Sequence, residues 1–403
     1  MSASPTQQLS FLITGGLAVA GTVVGQLGAT SATTLAGGGS GGIETSVFLS
    51  LMLAFAGVST TATLKLAARW GKLRTFTLAQ CGVAVSWATV GILELLTDSS
   101  LVLMWLAAPI FGIFSGVTAS LTPFATRSYL ASASMASSMA RRGTISGMAI
   151  ALSAALAGYV IHRTEPGVGI LANGVLTLPL VVFLLRNKLG TSDEKRGTNT
   201  VAIADLIKAL RTSPKLREPA LLTLLAMIFV VPMLNMMVPI LNALEHSPLA
   251  LGAGFVLAGI AAGRIVVPRL MKRLLKHQSE YSGAKWALVW ASGFMIAFTA
   301  TEILPVSDFD LLLWALMGAG LGASRFTFRP LVISAGARSS PEDDELLGVV
   351  AVTTTGHFAS PVGTLLWGLS IEYFSVPVTI TVAALAMVTS LSLLALSINT
   401  GQP

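Results

Sequence analysis

The chain alternates between long apolar runs and shorter polar segments. Twelve of the apolar runs are close to the roughly 20 helical residues that cross a hydrocarbon core. They cover approximately residues 9–35, 45–66, 74–96, 101–123, 143–163, 168–186, 219–242, 248–268, 285–304, 309–333, 346–369 and 376–397. Each run is continuous instead of alternating between apolar and polar positions, which favours α-helices over the strands of a membrane β-barrel. The pattern therefore predicts an all-α membrane protein with twelve transmembrane helices.

A single long polar segment separates the first six runs from the last six. We expect an N-terminal six-helix bundle over 1–186, a linker over 187–218 and a C-terminal six-helix bundle over 219–403. The linker is predicted to hold an amphipathic helix on the inner leaflet, with a merely solvated segment as the alternative. Its apolar positions at helical spacing are Ile203, Leu206, Ile207 and Leu210.

Composition supports the membrane interpretation. Hydrophobic residues make up 53% of the chain and charged residues 11%, whereas soluble domains have about 25% charged residues. The mean hydropathy of +0.78 agrees. The only cysteine is Cys81, so an intrachain disulfide is excluded. The first run has neither a basic segment before it nor a clear cleavage site, so we expect a retained helix.

Lysine and arginine are distributed unevenly between the two sides of the predicted membrane. If both termini share one side, 21 of the 25 basic residues fall in segments on that side, including Arg142 before the fifth run. Cytoplasmic loops carry an excess of these residues. We therefore expect both termini and the linker to be cytoplasmic, in the inner (plasma) membrane. This topology explains the net charge of +7, and no nucleic-acid partner is expected.

The two halves repeat each other weakly in sequence. A basic segment follows the second run and another follows the eighth, and glycines four residues apart recur in the fourth and tenth runs. The paired positions are Arg69 with Arg269, Lys72 with Lys272, Gly112 with Gly318 and Gly116 with Gly322. Duplicated six-helix bundles are typical of secondary transporters, so the two bundles are predicted to be pseudo-symmetric.

With these features, the chain resembles the major facilitator superfamily over essentially its whole length. The segment after the second run is similar to the family's motif of Gly, three residues, Asp, Arg, any residue, Gly and basic residues. Positions of that motif are matched by Arg69, Gly71, Lys72 and Arg74, while Leu64 and Ala68 replace its Gly and Asp. The resemblance implies the major facilitator fold, an inner gate at this segment, and transport of small solutes. It favours export of drugs or metabolites by an antiporter.

Ionisable side chains inside a bilayer are usually functional or well paired. His357 lies 11 residues after Leu346, about 16 Å into the eleventh helix, and histidine titrates near neutral pH. It is either the proton-responsive residue or a neutral side chain hydrogen-bonded between helices. Arg325 lies 14 residues after Leu311, about 21 Å into the tenth helix. It could hold an anionic group with two parallel hydrogen bonds, whereas Arg329 on the same face could extend to the inner surface.

Polar residues of other runs complete the candidate site. Gln26, Asn235 and Thr354 could form hydrogen bonds to a solute in a central cavity. The candidate gate residues are Arg69, Gly71, Lys72, Arg74, Arg264 and Arg269. For Arg264, at the inner end of the eighth run, a gate or packing role is expected instead of contact with a solute.

Other chemistry is sparse in this sequence. The four histidines are dispersed and no phosphate-binding glycine loop is present, so we expect no enzyme activity, cofactor, metal or ATP-driven pumping. The sequence predicts a monomeric secondary transporter that works by alternating access, with protons, the lipid bilayer and a small molecule as partners. Proton-coupled export of a small amphipathic or anionic organic solute is favoured. Proton-coupled uptake by symport and a non-transporting assembly or lipid-handling protein are the alternatives, with a membrane enzyme third.

Overall fold

The computed structural model describes residues 4–97, 101–130, 135–187, 208, 210–244, 249–277, 279–301, 310–339 and 345–399. These residues are almost entirely helical, and no β-strand occurs among them. The first half contains α1 (Pro5–Gly37), α2 (Gly42–Trp70), α3 (Lys72–Thr97), α4 (Leu101–Leu130), α5 (Met135–Arg163) and α6 (Pro166–Arg186). The second half contains α7 (Pro214–Leu225), a π-helical turn (Ala226–Val230), α8 (Val231–Asn235), α9 (Met237–Ala243), α10 (Leu249–His277), α11 (Glu280–Thr301), α12 (Asp310–Arg338), α13 (Glu345–Tyr373) and α14 (Val376–Asn399).

Every predicted apolar run coincides with a helix, except that the seventh is divided among α7, the π-helical turn, α8 and α9. Within the described ranges, eight helical segments are both long enough and apolar enough to cross a membrane. The fold is therefore that of an all-helical, multi-pass membrane protein.

Two prolines explain why the seventh helix is broken. Proline has no backbone N–H, so Pro232 cannot donate to the carbonyl of Ile228 four residues earlier. The indole Nε1 of Trp367 donates to that carbonyl instead, at 3.1 Å. Pro239 likewise cannot donate to Asn235, the residue at which α8 ends. A π-helical turn and a break at Met236 replace a continuous helix.

Two ends of the molecule can be defined from the chain itself. The linker end is where α6 stops and α7 starts, and the far end is where the loop of residues 38–41 joins α1 to α2. In the first half, α1 lies against α5 and α6, α2 against α4, and α3 against α4 and α6. In the second half, α10 lies against α12, α11 against α12 and α14, and α12 against α13.

The glycine pairs seen in the sequence make equivalent contacts in the two halves. A Cβ atom at Gly112 or Gly116 on α4 would collide with the backbone of α2, and one at Gly318 or Gly322 on α12 would collide with the backbone of α10. Close approach of two helices at small residues is common in membrane proteins. The internal repeat therefore corresponds to a repeated helix pair.

Two seams join the halves, one between α2 and α13 and the other between α5 and α10. In the first seam, Ser50 Oγ donates to the Pro361 carbonyl at 2.9 Å. In the second, Gly158 and Gly254 each lie against the backbone of the opposite helix, close to the far end. Exchanging the halves would place α2 on α10 and α5 on α13, so the two seams are related by the repeat.

Several helix ends differ from the sequence prediction, and three of the differences concern charged segments. α5 begins at Met135 instead of residue 143, which places Arg142 within a helix. α7 begins at Pro214, where Ser213 caps the helix by accepting a hydrogen bond from Leu216 N at 3.4 Å.

The third difference concerns the repeated basic segment. α2 ends at Gly71, whose φ of 87° favours glycine, and Arg69 and Lys72 flank that turn. α10 instead continues to His277, so Arg269 and Lys272 are helical and the prediction of a loop there was wrong. The sequence after Pro268 consists of strong helix formers and contains no glycine. The amphipathic helix predicted for the linker lies mostly outside the described residues.

Candidate functional site

Two arginines occupy the middle of α12. Arg325 lies 15 residues after Asp310 and 13 before Arg338, about 20 Å from either end of the helix. Arg329 lies one turn nearer the linker end on the same helix face, and its side chain is exposed. The depth expected for Arg325 from the sequence agrees with this placement.

Arg264 lies against both α12 and the opposite half. Its Cζ is 4.8 Å from the centroid of the Phe326 ring, a distance at which the cation interacts favourably with the aromatic face. A Cβ atom placed on Gly147 of α5 would lie 3.5 Å from Arg264 Cδ. Arg264 is therefore in the seam between α5 and α10, at the middle of α10 and near the end of the apolar segment Ala250–Val266.

Arg142 is a fourth arginine of this region, and sequence reasoning missed it. Its Nη1 donates to Thr126 Oγ1 at 2.6 Å, and its Cζ lies 5.7 Å from the ring centroid of Phe11. Small residues that tolerate a helix precede it from Met135 onward, and this was the available signal. Contacts with α1 and α4 fix Arg142 on the first half.

Carboxylates are absent from the helices that hold these arginines, except at helix ends. The sequences of α1, α4, α5 and α10 contain no Asp or Glu. The acidic residues of α12 and α13 are Asp310, Glu345 and Glu372, all near helix ends. Within the described part of the chain, an ion pair joins Arg338 to Glu280 at 3.1 Å, near the linker end. Buried charges are costly unless they are paired. Arg264 and Arg325 at mid-helix, with Arg329 one turn away, therefore form a region suited to an anion.

His357 lies in the seam between α2 and α13. It is 12 residues after Glu345, about 18 Å into the helix, and its Cβ is 3.3 Å from a Cβ placed on Gly57 of α2. Arg329 is on α12, which packs against the helix that carries His357. The preceding Gly356 faces Thr223 of α7, so this glycine permits close contact between helices.

Exposure of side chains on the inward faces marks a cleft. Nine residues place Gln26 on the face of α1 opposite Leu17, which points outward. Gln26 is nevertheless exposed. Ala119 of α4 is exposed in the same way, opposite Ile110. Gln26 lies beyond the middle of α1 toward the far end, whereas Ala119 of α4 and the exposed Arg329 of α12 lie nearer the linker end. The exposed positions therefore continue toward the linker end.

The remaining predicted residues are only partly brought together. Thr354 is half-buried on α13, three residues before His357, and Asn235 is half-buried at the end of α8. Around the Gly71 turn, Arg69 and Arg74 are exposed and Lys72 is half-buried. These gate candidates therefore lie at the linker end, apart in depth from Arg264. The side chain of Arg269 is outside the described residues.

Two surface cavities do not contain the predicted site residues. One, of about 330 Å³, is lined by Ile228, Phe229, Leu366, Trp367, Ser370, Phe374, Val378, Thr379, Val382 and Ala383. The other, of about 610 Å³, is lined by Ser10, Thr14, Val175, Leu178, Pro179, Val182, Phe183, Arg186 and Asn187. The first is a mainly apolar crevice beside the π-helical turn, and the second lies between α1 and α6.

The far end is closed by hydrogen bonds between the halves. Ser40 Oγ in the loop between α1 and α2 donates to Glu372 Oε2 at 2.6 Å. Asn242 Nδ2 of α9 donates to the carbonyls of Gly39 and Ser40, at 3.1 Å each. Asn242 therefore fixes this loop to the second half. The cleft is thus bounded at the far end by contacts from two elements of the second half.

Solved structures share this arrangement of helices. The nucleoside transporter NupG aligns with a TM-score of 0.73 at 14% identity, covering 98% of this chain and 100% of that chain. A D-xylose-proton symporter gives a TM-score of 0.70 at 11% identity, covering 95% and 97%. A POT family transporter in complex with a thioalcohol-conjugated peptide gives 0.73 at 15% identity, covering 99% and 97%. At these identities the similarity concerns the fold alone.

No curated protein sequence matches this one significantly. The sequence profile described as the Major Facilitator Superfamily, however, matches residues 9–344, which is most of the chain. The profile spans nearly all of the first half, the seam between α5 and α10 and the helices that carry the arginines, and it ends before α13. This chain therefore belongs to the Major Facilitator Superfamily.

Proposed function

We propose that the protein is a proton-coupled secondary transporter for a small anionic organic solute. In this proposal twelve helices span the inner membrane as two six-helix bundles, 1–186 and 219–403, joined by the linker 187–218. Both termini and the linker face the cytoplasm, because the basic residues favour that side. Arg142 lies in α5 and not in a loop, but the count of basic residues on the cytoplasmic side falls by only one. The protein acts as a monomer.

The observation that carries the proposal is the group of arginines without mid-helix carboxylates. Arg264 and Arg325 lie at the middle of neighbouring helices, with Arg329 one turn away. A planar guanidinium can present two parallel hydrogen bonds to a carboxylate or phosphate. An anionic solute would offset these charges, for which the helices that carry them contain no mid-helix carboxylate. Gln26 on the opposite half could form a further hydrogen bond to it.

Alternating access is compatible with the two seams. The far end is held by the loop contacts of Glu372 and Asn242, while exposed residues line a cleft toward the linker end. Rocking of the bundles about the seams would open the far end and close the linker end. Transporters built from repeats use such movements around a central site.

Proton coupling is assigned to His357. Protonation adds a positive charge on α13, the neighbour of the arginine-bearing α12, and a bound anion offsets that charge, so proton and anion favour each other's binding. Positive coupling of this kind favours symport over antiport. Uptake of an anion with a proton is therefore the direction that these charges support, although the family resemblance favoured export. A structural neighbour is described as a D-xylose-proton symporter, which is compatible with this direction.

Transport in proteoliposomes under an imposed pH gradient tests the proposal. Labelled organic anions, neutral solutes and cations of similar size are offered to the wild type, to Arg325→Gln and to Arg186→Gln. Arg186 is an exposed arginine at the end of α6 and serves as a control. We expect anion accumulation that Arg325→Gln abolishes and Arg186→Gln preserves. Transport of neutral solutes or cations with no loss in Arg325→Gln would contradict the proposal.

A further inference from the structure

We propose that the groove between α1 and α6 binds a phospholipid with an anionic headgroup, from the leaflet at the linker end. The headgroup lies at Arg186, and one acyl chain lies in the groove. This inference goes beyond the proposed function and does not depend on it, because the groove is on the surface of the first half and not in the cleft. Its occupant is a lipid and not the transported solute.

The groove has the character of a surface in contact with lipid. It is the cavity of about 610 Å³ described above, with Ser10 and Thr14 of α1 on one wall and mainly apolar side chains of α6 on the other. On α6, Val175, Leu178 and Val182 are 52%, 49% and 44% exposed. A membrane-spanning helix is surrounded by hydrocarbon. The groove therefore opens to acyl chains and not to water.

The length of the groove matches the depth of one leaflet. Arg186 is the last residue of α6, whose 21 residues span about 30 Å, the thickness of a hydrocarbon core. Arg186 therefore lies at the level of the headgroups. Val175, at the other end of the groove, lies 11 residues earlier, about 16 Å deeper. A lipid with its headgroup at Arg186 consequently has its chains beside the groove.

Arg186 supplies the charge that an anionic headgroup requires. Its side chain is exposed, and within the described part of the chain no carboxylate forms an ion pair with it. A planar guanidinium can donate two parallel hydrogen bonds to a phosphate. Basic pockets between transmembrane helices are a common site for anionic headgroups.

The helix end that carries Arg186 is held in place from three helices. The Tyr129 hydroxyl of α4 donates to the carbonyl of Asn187 at 3.0 Å. Gln7 Nε2 of α1 donates to Asn187 Oδ1 at 3.2 Å, and Asn187 Nδ2 donates to the carbonyl of Phe183 at 3.0 Å. These contacts fix the mouth of the groove, so the guanidinium is presented from an ordered position.

The second cavity provides an internal comparison. Under the repeat, the seventh apolar run corresponds to α1 and α14 corresponds to α6, so the crevice beside the π-helical turn involves the equivalent helix pair. That crevice also contains two hydroxyl residues, Ser370 and Thr379, but its lining includes no lysine or arginine. The positive charge of Arg186 therefore distinguishes the groove at the linker end.

Lipid binding should not affect the transport cycle. Both walls of the groove belong to the first half, so rocking of the two halves does not change its shape. The lipid therefore remains bound in every state. Arg186→Gln should lose the lipid and still transport at the wild-type rate, which also shows that the variant is folded.

Titration of defined lipids followed by native mass spectrometry tests the charge. Dioleoylphosphatidylglycerol and dioleoylphosphatidylcholine are added separately to the purified full chain in detergent. We expect the wild type to bind phosphatidylglycerol more tightly, and Arg186→Gln to weaken binding of the first phosphatidylglycerol about fivefold. Phosphatidylcholine binding should not change.

Arg163→Gln is the matched control for the charge. Arg163 is also an exposed arginine at the last position of a helix of the first half, and it lines neither cavity. Its replacement should leave the affinity for both lipids unchanged. Equal weakening by Arg163→Gln and Arg186→Gln would indicate non-specific attraction to basic residues and would overturn the proposal.

A second pair of variants tests the groove itself. Val182→Trp fills the groove one turn from Arg186, whereas Val85→Trp places the same side chain on α3, where Val85 is 65% exposed. We expect phosphatidylglycerol binding to weaken in Val182→Trp and to persist in Val85→Trp. Wild-type binding in both Arg186→Gln and Val182→Trp would overturn the proposal.

Cross-linking tests whether the linker occupies the groove instead. A disulfide formed between Thr14→Cys and Ile203→Cys, in a Cys81→Ser background, would place the linker there and overturn the proposal. We expect no such disulfide. All these outcomes concern lipid binding alone, whereas anion transport by the wild type decides the proposed function separately.

Discussion

Ser40 and Glu372 are separated by 332 residues in sequence, yet their side chains are joined by a 2.6 Å hydrogen bond at the far end. This bond links the α1–α2 loop to the end of α13. Three loop glycines with positive φ, Gly38, Gly39 and Gly41, allow the tight path that brings Ser40 there. We infer that this contact is part of the gate at the far end.

Weakening this contact should open the far end. A hydrogen bond to a charged group contributes about 1.5–3 kcal/mol, so Glu372→Ala should shift the equilibrium toward the far-end-open state roughly tenfold or more. Thiol labelling of a cysteine at Gln26, applied from the far side, measures the shift. Glu165→Ala is the control, because Glu165 lies at the far end without a side-chain cap bond. Unchanged labelling in Glu372→Ala would show that the bond is incidental.

Replacing Arg325 by lysine tests direct recognition of the solute. Lysine keeps the charge but cannot present a planar pair of donors. We expect Arg325→Lys to weaken anion binding at least tenfold, measured by titration of the purified protein. A wild-type affinity accompanied by a lower thermal midpoint would instead assign Arg325 to helix packing.

His357→Gln separates proton coupling from solute binding. Glutamine keeps hydrogen bonding but does not titrate, so binding should persist while the pH dependence of transport disappears. Accumulation against a gradient should fail, and downhill exchange should continue. Accumulation with the wild-type pH profile would place proton coupling at another residue.

The repeated glycine contacts predict equal effects in the two halves. Gly112→Val and Gly318→Val would each push a side chain into the backbone of the neighbouring helix. Overpacking costs about 1–3 kcal/mol, so both variants should lower the thermal midpoint by several degrees. Gly293→Val is the control, because no atom lies within 4 Å of a Cβ at that position. Tolerance of both variants would mean that neither helix pair is close-packed.

The orientation of the chain is tested by cysteine labelling. Cysteines replacing Thr191 and Ser282 should react only from the cytoplasmic side, because both lie in segments flanked by many basic residues. The measurement uses a membrane-impermeant thiol reagent on intact cells. Labelling of Thr191→Cys from outside would reverse the proposed topology.

The apolar runs were sufficient to predict nearly all the helices, because a bilayer-spanning helix requires a long continuous apolar segment. They could not locate polar helix ends. Arg142 was placed in a loop since residues 135–142 are not apolar, and the extension of α10 beyond Pro268 was missed for the same reason. The break near Met236 could have been predicted from Pro232 and Pro239.

The site was predictable only in part. Arg325 and His357 were identified because each is an ionisable residue in an apolar run. The contacts at the site join residues that are distant in sequence, such as His357 with Gly57 and Arg264 with Gly147. The same is true of Asn242 and Ser40 at the far end. Such pairs depend on which helices form the seams, and a single sequence contains little information on that choice.

The arginines at the middle of α10 and α12 make the transport cycle sensitive to the membrane potential. In the proposed orientation, an interior-negative membrane potential attracts the positively charged empty cleft toward the cytoplasm. A charge that crosses the whole field gains about 2.3 kcal/mol per 100 mV. The charge of a bound anion partly cancels that of the arginines, so voltage acts less on the loaded protein. Voltage should therefore slow the return of the empty carrier more than it affects the step that carries the solute.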